Sequence, residues 1–186
     1  MTTNTEAKPA ASKSQAGFLA RKVLSEEASA IQAYLESDDP ALDAAIEMIF
    51  KSTGPLIVSG IGKSGHIAHK IASTFRSLGK PAAFLHAAEA SHGDLGIIQE
   101  GSVVLVLSNS GETSELSDLL HYCREHDVEM IGLTGRADST LARVSTVAIA
   151  YGQLREACVN GLAPTTSTTI TLAIGDALAV GVSYLM

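Results

Sequence analysis

The chain has 186 residues, of which 46% are hydrophobic and 18% are charged. That length supports one globular domain with its own core and is too short for two, and the composition is not that of a disordered protein. The formal net charge of −7 and the lack of a Lys/Arg cluster argue against nucleic-acid binding, although a local site can still hold a small anion.

The N-terminal segment divides into a tail and two helices. Residues 1–14 have no hydrophobic periodicity, and we expect a disordered tail there, followed by a single domain from residue 15 to residue 186. Apolar residues recur at helical spacing from Phe18 to Leu35. Asp39 and Pro40 then predict the start of a second helix, as an N-cap and a proline at the first helical position, and Gly54 ends it.

From residue 56 onwards, strands and helices alternate. Helical periodicity is predicted for residues 64–78, 113–126 and 168–185. The predicted strands are residues 56–59, 82–85, 103–107, 130–133 and 147–150. The alternation predicts an α/β fold with a three-layer αβα arrangement, in which helices cover both faces of a five-stranded parallel sheet. Ligands of such sheets bind at the carboxyl ends of the strands.

Cysteine usage and hydropathy suggest a compartment. Cys123 and Cys158 have no preceding signal peptide, and no apolar run reaches ~18 residues without polar interruption. We therefore expect two free thiols in a reducing environment, a cytoplasmic location and no membrane partner.

The first strand leads into a glycine-rich loop, Gly60 to Gly65, that matches G-x-G-x-x-G. A dinucleotide site would also need an acidic residue at the end of the second strand, where His86 stands and the next carboxylate is Glu89. A Walker A motif would need glycine at the position of Ile57. The loop remains suited to close approach of a ligand to a helix N-terminus, and the alternative is a tight turn with an exposed lysine.

The third strand is followed by Ser-Asn-Ser-Gly-Glu-Thr at residues 108–113. Three hydroxyls, a glycine and free N–H groups at one helix N-terminus favour a phosphate monoester as ligand. The alternative is simple helix capping by Ser110 and Thr113, for which one hydroxyl would be enough.

Two further loops carry groups suited to acid/base chemistry. Residues 86–96 contain His86, His92 and two carboxylates, a set that fits proton transfer better than a soft metal site, whose ligands follow tighter spacing. Glu156 follows the fifth strand and is a candidate base, although alone it could be a solvated loop carboxylate. The hydroxyl run at residues 165–169 predicts the cap of the last helix.

These segments together resemble the D-arabinose-5-phosphate isomerases, and the resemblance covers roughly residues 15 to 186. The segments that carry it are GIGKSGHIAHK, HAAEASHGDLG, SNSGET, TGRADSTLAR, REAC, GLAPTTSTT and GDALAV. These enzymes contain a sugar-isomerase (SIS) domain and convert D-ribulose 5-phosphate to D-arabinose 5-phosphate, the entry step to the Kdo sugar of lipopolysaccharide and some capsules. The resemblance implies a flavodoxin-like SIS domain, a homotetramer and a sugar phosphate as substrate.

The resemblance also implies the site residues. The positions that match catalytic ones are Lys63, His92, Glu115 and Glu156. The positions expected to bind the sugar phosphate are Gly60, Gly62, Ser64, His86, Ser108, Asn109, Ser110 and Thr113. The reaction transfers a proton between C1 and C2 through a cis-enediol, which needs neither a metal nor a redox cofactor. Glu115 and Glu156 compete for the role of base, and we expect burial to tune the pKa of Glu156 toward working pH.

The sequence departs from the long members of this family, which carry two CBS domains and a His-Pro-Gly-Gly segment after the SIS domain. The chain ends at Met186, so the resemblance implies the short form.

Two alternatives remain. One is another SIS isomerase, acting on a hexulose or heptose phosphate, which would lack the ASHGDLG and REAC segments. The other is a sugar-phosphate sensor without catalysis, which usually carries a DNA-binding helical domain.

Overall fold

The N-terminal helices of this computed structural model are α1 (Lys13–Glu36) and α2 (Pro40–Lys51). The structure describes residues 12–186, so residues 1–11 of the predicted tail lie outside the described residues. Ser12 Oγ accepts from the backbone N–H of Gln15 and caps α1, which places residues 13 and 14 in a helix and not in the predicted tail. Asp39 caps α2 through the N–H of Ala41, as predicted.

The five strands form one parallel sheet. They are β1 (Leu56–Gly60), β2 (Ala82–His86), β3 (Val103–Ser108), β4 (Glu129–Thr134) and β5 (Val147–Ala150). Their order is β2-β1-β3-β4-β5, with Gly60 of β1 opposite both His86 and Leu107. The chain leaves β1 for one edge and returns to the other side of it at β3, so the topological switch point lies between β1 and β3. The prediction of a five-stranded parallel sheet is confirmed.

Helices cover both faces of the sheet, which confirms the three layers. One face carries α3 (Gly62–Ser77) and α7 (Thr166–Leu185) with α2, and α1 packs on α7. The other carries α5 (Ser117–Glu125) and two short helices, α4 (Ala87–Ala90) and α6 (Thr140–Val144). The sequence did not predict α4 or α6, because a helix of four or five residues is too short to display a helical period.

β3 is buried on both faces and joins the two halves of the core. Val103, Leu105 and Leu107 pack with α3 and α7, and Val104 and Val106 pack with α5 and α6. Both cysteines are free, as predicted, and Cys123 is buried in the second of these clusters.

α7 is long and apolar enough to cross a membrane by length and composition alone, a property that was not predicted from the sequence. In the structure it serves as a core helix, with Ile174 and Leu178 buried against the sheet side. It approaches α3 closely, since a Cβ added at Gly175 would lie 2.2 Å from Cδ1 of Ile71. An ion pair between Lys70 and Asp176, 2.5 Å apart, also joins the two helices.

Candidate active site

The two predicted ligand loops lie side by side at the switch point. β1 and β3 are hydrogen-bonded neighbours, so the glycine-rich loop after β1 and the Ser108–Thr113 loop after β3 leave the same edge of the sheet. The N-terminus of α7 joins them there, since one pocket is lined by Ser64, Asn109, Ser167 and Thr168. This is the crevice in which parallel α/β sheets bind ligands.

The glycine-rich loop starts α3 directly at the end of β1. Gly62 has a φ of 57°, a conformation that L side chains rarely adopt. A Cβ at Gly65 would lie 3.0 Å from the carbonyl oxygen of Gly60, so the first turn of α3 packs against the strand end. Lys63 is the second residue of α3 and is exposed to solvent, close to the N–H groups of the first turn.

The loop after β3 is organised by its own hydroxyls. The buried Ser108 Oγ accepts from the N–H of Gly111 at 3.0 Å and lies 2.8 Å from Oγ1 of Thr113. The exposed Ser110 Oγ accepts from the N–H of Glu112 at 3.2 Å. The three predicted hydroxyls therefore belong to one compact loop.

The helix after this loop begins later than predicted. A 3₁₀ turn at Ser114–Leu116 comes first, and α5 starts at Ser117 rather than at residue 113. The cause lies in Gly111, which has a φ of 66° and is buried so tightly that a Cβ there would lie 2.1 Å from Oγ of Ser139. The turn at Gly111 and the local serine hydrogen bonds replace the first helical turn.

The two predicted histidines occupy different environments. His86 ends β2 opposite Gly60, and its Nδ1 is buried without a hydrogen-bond partner in the described part of the chain. His92 is exposed in the segment after α4. Within residues 12–186, no three His, Cys, Asp or Glu side chains gather as ligands for a metal ion.

Glu156 anchors the N-terminus of α7. Its Oε2 accepts from Thr165 N at 2.6 Å, from Thr165 Oγ1 at 3.1 Å and from Ser167 N at 3.3 Å, and its Oε1 accepts from Ser167 Oγ. Burial alone would raise the pKa of Glu156, but the hydrogen bonds from Ser167 and Thr165 outweigh it and lower that pKa. The expectation of a pKa raised toward working pH was therefore wrong, because the donors on α7 favour the charged form.

Glu115 is the other candidate base and is exposed in the 3₁₀ turn. Its carboxylate accepts from Ser114 Oγ at 2.9 Å. Hydrogen bonds that the carboxylate accepts from its own backbone N–H and from Ser114 lower the pKa of Glu115. In the described residues neither Glu115 nor Glu156 forms an ion pair with Lys63.

Three residues that border or support the pocket were not predicted from the sequence. Ser167 and Thr168 line it, although their hydroxyl run was interpreted only as a helix cap. Tyr151 directly follows β5, and its hydroxyl lies 2.9 Å from Oδ1 of Asn109. Tyr151 could have been recognised from the sequence, because it stands at the carboxyl end of a predicted strand, where ligands of parallel sheets bind.

Comparisons with known proteins place this geometry in a family. The arabinose 5-phosphate isomerase KdsD of Escherichia coli K12 is 48% identical over 136 residues, which are 73% of this chain and 42% of the relative. The enzyme of the same name from Yersinia pestis is 43% identical over 166 residues, 89% of this chain and 50% of the relative. The chain thus spans half or less of the length of these curated relatives.

A solved structure covers nearly the whole of both chains. The protein c3406 of Escherichia coli CFT073, solved in complex with arabinose 5-phosphate, superposes with a TM-score of 0.90 at 34% identity. The match includes 94% of this chain and 93% of the other. A family model described as SIS domain matches residues 48–181, from α2 through most of α7. The chain therefore belongs to the SIS domain family.

Proposed function

We propose that this protein is an aldose-ketose isomerase that interconverts D-ribulose 5-phosphate and D-arabinose 5-phosphate. The observation that carries the proposal is the Ser108–Thr113 loop beside a pocket at the switch point, with Lys63 and Glu156 on the adjoining elements. The curated relatives named as arabinose 5-phosphate isomerases, and the neighbour solved with arabinose 5-phosphate, support the same substrate.

The phosphate end of the substrate would occupy the loop after β3. Ser108, Ser110 and Thr113 bring three hydroxyls together in one loop, as donors for phosphate oxygens. Ser64 and Asn109 line the adjoining pocket, which would hold the sugar. In this orientation C1 and C2 would lie toward Ser167, which lines the pocket and donates to Glu156.

The chemistry is assigned to groups on the elements that adjoin this pocket; Glu156 does not line it but accepts a hydrogen bond from Ser167, which does. Glu156 takes a proton from C1 or C2 and returns it to the other carbon, so that a cis-enediolate forms and collapses with no net change in protons. Lys63 and the N–H groups at the start of α3 stabilise the oxygen that carries negative charge. His86 or His92 moves the hydroxyl proton or assists ring opening, and Glu115 orients the substrate.

Incubation with ribulose 5-phosphate tests the proposal directly. NMR should identify arabinose 5-phosphate as the aldose formed, and hexulose and heptose phosphates should not react. Formation of a different aldose would assign the chain to another SIS isomerase. Tight binding of arabinose 5-phosphate without turnover would instead identify a sugar-phosphate sensor.

Ser110→Ala tests the phosphate loop. We expect KM to rise about tenfold or more, because losing a hydrogen bond to a charged group costs ~1.5–3 kcal/mol. Steady-state kinetics measures the change, and Ser77→Ala is the matched control, since Ser77 is an exposed serine near the other end of α3. An unchanged KM in Ser110→Ala would contradict the assignment.

Exposed apolar side chains on α1 and α7 support self-association, for which the homotetramer is the proposed form. They are Phe18, Leu24, Leu35, Val180 and Tyr184, each more than half exposed in the single chain. Such apolar surface is typical of contacts between subunits. We expect light scattering at micromolar concentration to give the mass of four chains, and a monomer would refute the assembly.

Active sites near subunit boundaries would allow a histidine to serve a neighbouring chain. Mixing the variants His92→Ala and Lys63→Ala, each expected to be impaired, would then restore activity in hybrid tetramers. Hybrids with no more activity than their parents would show that each chain completes its own site.

The cellular role follows from the product. Arabinose 5-phosphate leads to Kdo, so the proposed enzyme would supply lipopolysaccharide or capsule synthesis from the cytoplasm.

A further inference from the structure

The hydroxyl of Tyr151 links the loop after β3 to the N-terminus of α7. Tyr151 is 8% exposed, and its hydroxyl lies 2.9 Å from Oδ1 of Asn109 and 3.5 Å from Oγ1 of Thr171. Thr171 Oγ1 lies 2.7 Å from the carbonyl oxygen of Ser167, and Ser167 in turn donates to Glu156. Polar groups therefore follow one another along the pocket from Asn109 to Glu156, and the 3.5 Å contact between Tyr151 and Thr171 is the longest step.

The direction of these hydrogen bonds can be deduced. Thr171 has one hydroxyl proton, and the carbonyl of Ser167 at 2.7 Å is a better acceptor than the phenol at 3.5 Å. Burial raises the pKa of Tyr151, so its phenol stays protonated at neutral pH. The phenol proton is therefore donated to Oδ1 of Asn109, which acts as the acceptor.

This donation fixes the orientation of the Asn109 carboxamide. Within residues 12–186 the side-chain hydrogen bonds of Asn109 are made by Oδ1 alone, which leaves the two N–H donors of Nδ2 without an acceptor. Asn109 is exposed and lines the pocket with Ser64 and Thr168. Free amide donors beside a pocket suit an anionic or hydroxyl oxygen of a ligand.

We propose that Tyr151 is a positioning residue, whose hydroxyl holds the Asn109 carboxamide so that Nδ2 donates to an oxygen of the bound sugar phosphate. The inference rests on the proposed function for the class of ligand. Without the phenol hydroxyl, the carboxamide can turn by 180° and present its carbonyl oxygen to the ligand. An oxygen acceptor there would repel the ligand oxygen that Nδ2 binds.

Tyr151→Phe tests the role, because it removes the hydroxyl and keeps the buried ring. We expect the KM for ribulose 5-phosphate and the Kd for arabinose 5-phosphate to rise about threefold to tenfold, as for loss of one hydrogen bond of ordinary strength. kcat should change less than twofold. The matched control is Tyr34→Phe, which removes a tyrosine hydroxyl that bonds to Asp39 on the α1–α2 side.

A double-mutant cycle separates positioning from general destabilisation. Asn109→Ala should raise Kd by itself. Adding Tyr151→Phe to it should raise Kd by less than a further twofold, because the two substitutions remove the same interaction with the ligand. Full additivity, or unchanged Kd and KM in Tyr151→Phe, would overturn the inference. Loss of folding alone would lower the melting temperature and the active fraction without changing Kd.

Calorimetric titration with arabinose 5-phosphate measures Kd without turnover. It therefore tests the role of Tyr151 separately from the proposed isomerase activity. If the wild type binds the ligand without turnover, the isomerase proposal fails and the cycle is still measured through Kd. If the wild type does not bind the ligand at all, both proposals fail.

Discussion

Glu156→Gln is expected to lower kcat by a factor of about 10²–10⁴, the usual cost of removing a general base. The carboxylate is ionised at neutral pH, because hydrogen bonds from Ser167 and Thr165 outweigh burial and lower its pKa. Oε2 accepts three hydrogen bonds and Oε1 only one, so Oε1 keeps a lone pair for a substrate proton. Steady-state rates with ribulose 5-phosphate measure the effect.

The glutamine variant separates catalysis from anchoring. An amide oxygen in place of Oε2 still accepts from the N–H groups of Thr165 and Ser167, and the amide nitrogen can donate to Ser167 Oγ. The fold and the substrate affinity should therefore survive in Glu156→Gln. Glu156→Ala should lose the anchor of α7 as well and melt earlier. An active Glu156→Gln beside an unstable Glu156→Ala would show that Glu156 serves only the fold.

Exchange of the C1 or C2 proton with D₂O identifies the base between the two carboxylates. Glu156→Gln should stop the exchange and Glu115→Gln should only slow it. The reverse result would assign the base to Glu115, whose exposed carboxylate is held by Ser114.

The lowered pKa of Glu156 also predicts how its contribution to stability depends on pH. A carboxyl whose folded pKa lies below its unfolded value stabilises the protein above the unfolded value, about 4.3 for glutamate. That stabilisation is lost as pH falls through the lower, folded pKa. The difference in melting temperature between wild type and Glu156→Ala should therefore be present at pH 7 and shrink in acid.

Lys63→Ala should lower kcat by about 10²–10³, comparable to the loss of a donor that stabilises a developing oxyanion. Lys63 is exposed at the start of α3 and forms no ion pair within the described residues, so its removal should barely change the melting temperature. Kinetics and thermal unfolding of the same preparation provide both measurements.

Lys70→Ala is the control for this experiment. Lys70 lies farther along the same helix, and its ion pair with Asp176 is on the surface, where such pairs contribute ~0–1 kcal/mol. The Lys70→Ala substitution should leave kcat unchanged. A Lys63→Ala variant that melts early, but whose folded fraction is fully active, would make Lys63 a structural residue.

The fold was predicted well wherever the hydrophobic periodicity of a helix, or a run of apolar residues in a strand, was long enough to recognise. β5 was predicted with the bounds that the structure has, and β3 was recognised because residues 103–107 are all apolar. The short helices α4 and α6 were missed, and the start of α5 was placed too early because Gly111 turns the chain before the helix begins.

The site was predictable as a set of loops but not as a network. The hydroxyls after β3 were recognisable because three stand close together in sequence, whereas Tyr151 and Asn109 are 42 residues apart. The pKa of Glu156 was predicted in the wrong direction, since burial can be inferred from a loop but the donors at Thr165 and Ser167 cannot.

The close packing of α3 and α7 links two groups that the proposed reaction uses. Lys63 lies on the first turn of α3, and Glu156 is hydrogen-bonded to the N-terminus of α7. Farther along the two helices, Gly175 packs directly against Ile71. A side chain at position 175 would wedge the helices apart and shift the lysine relative to the carboxylate. Turnover should therefore be sensitive to the spacing of two helices at a point that no substrate touches, so this remote contact sets the alignment of the reacting groups.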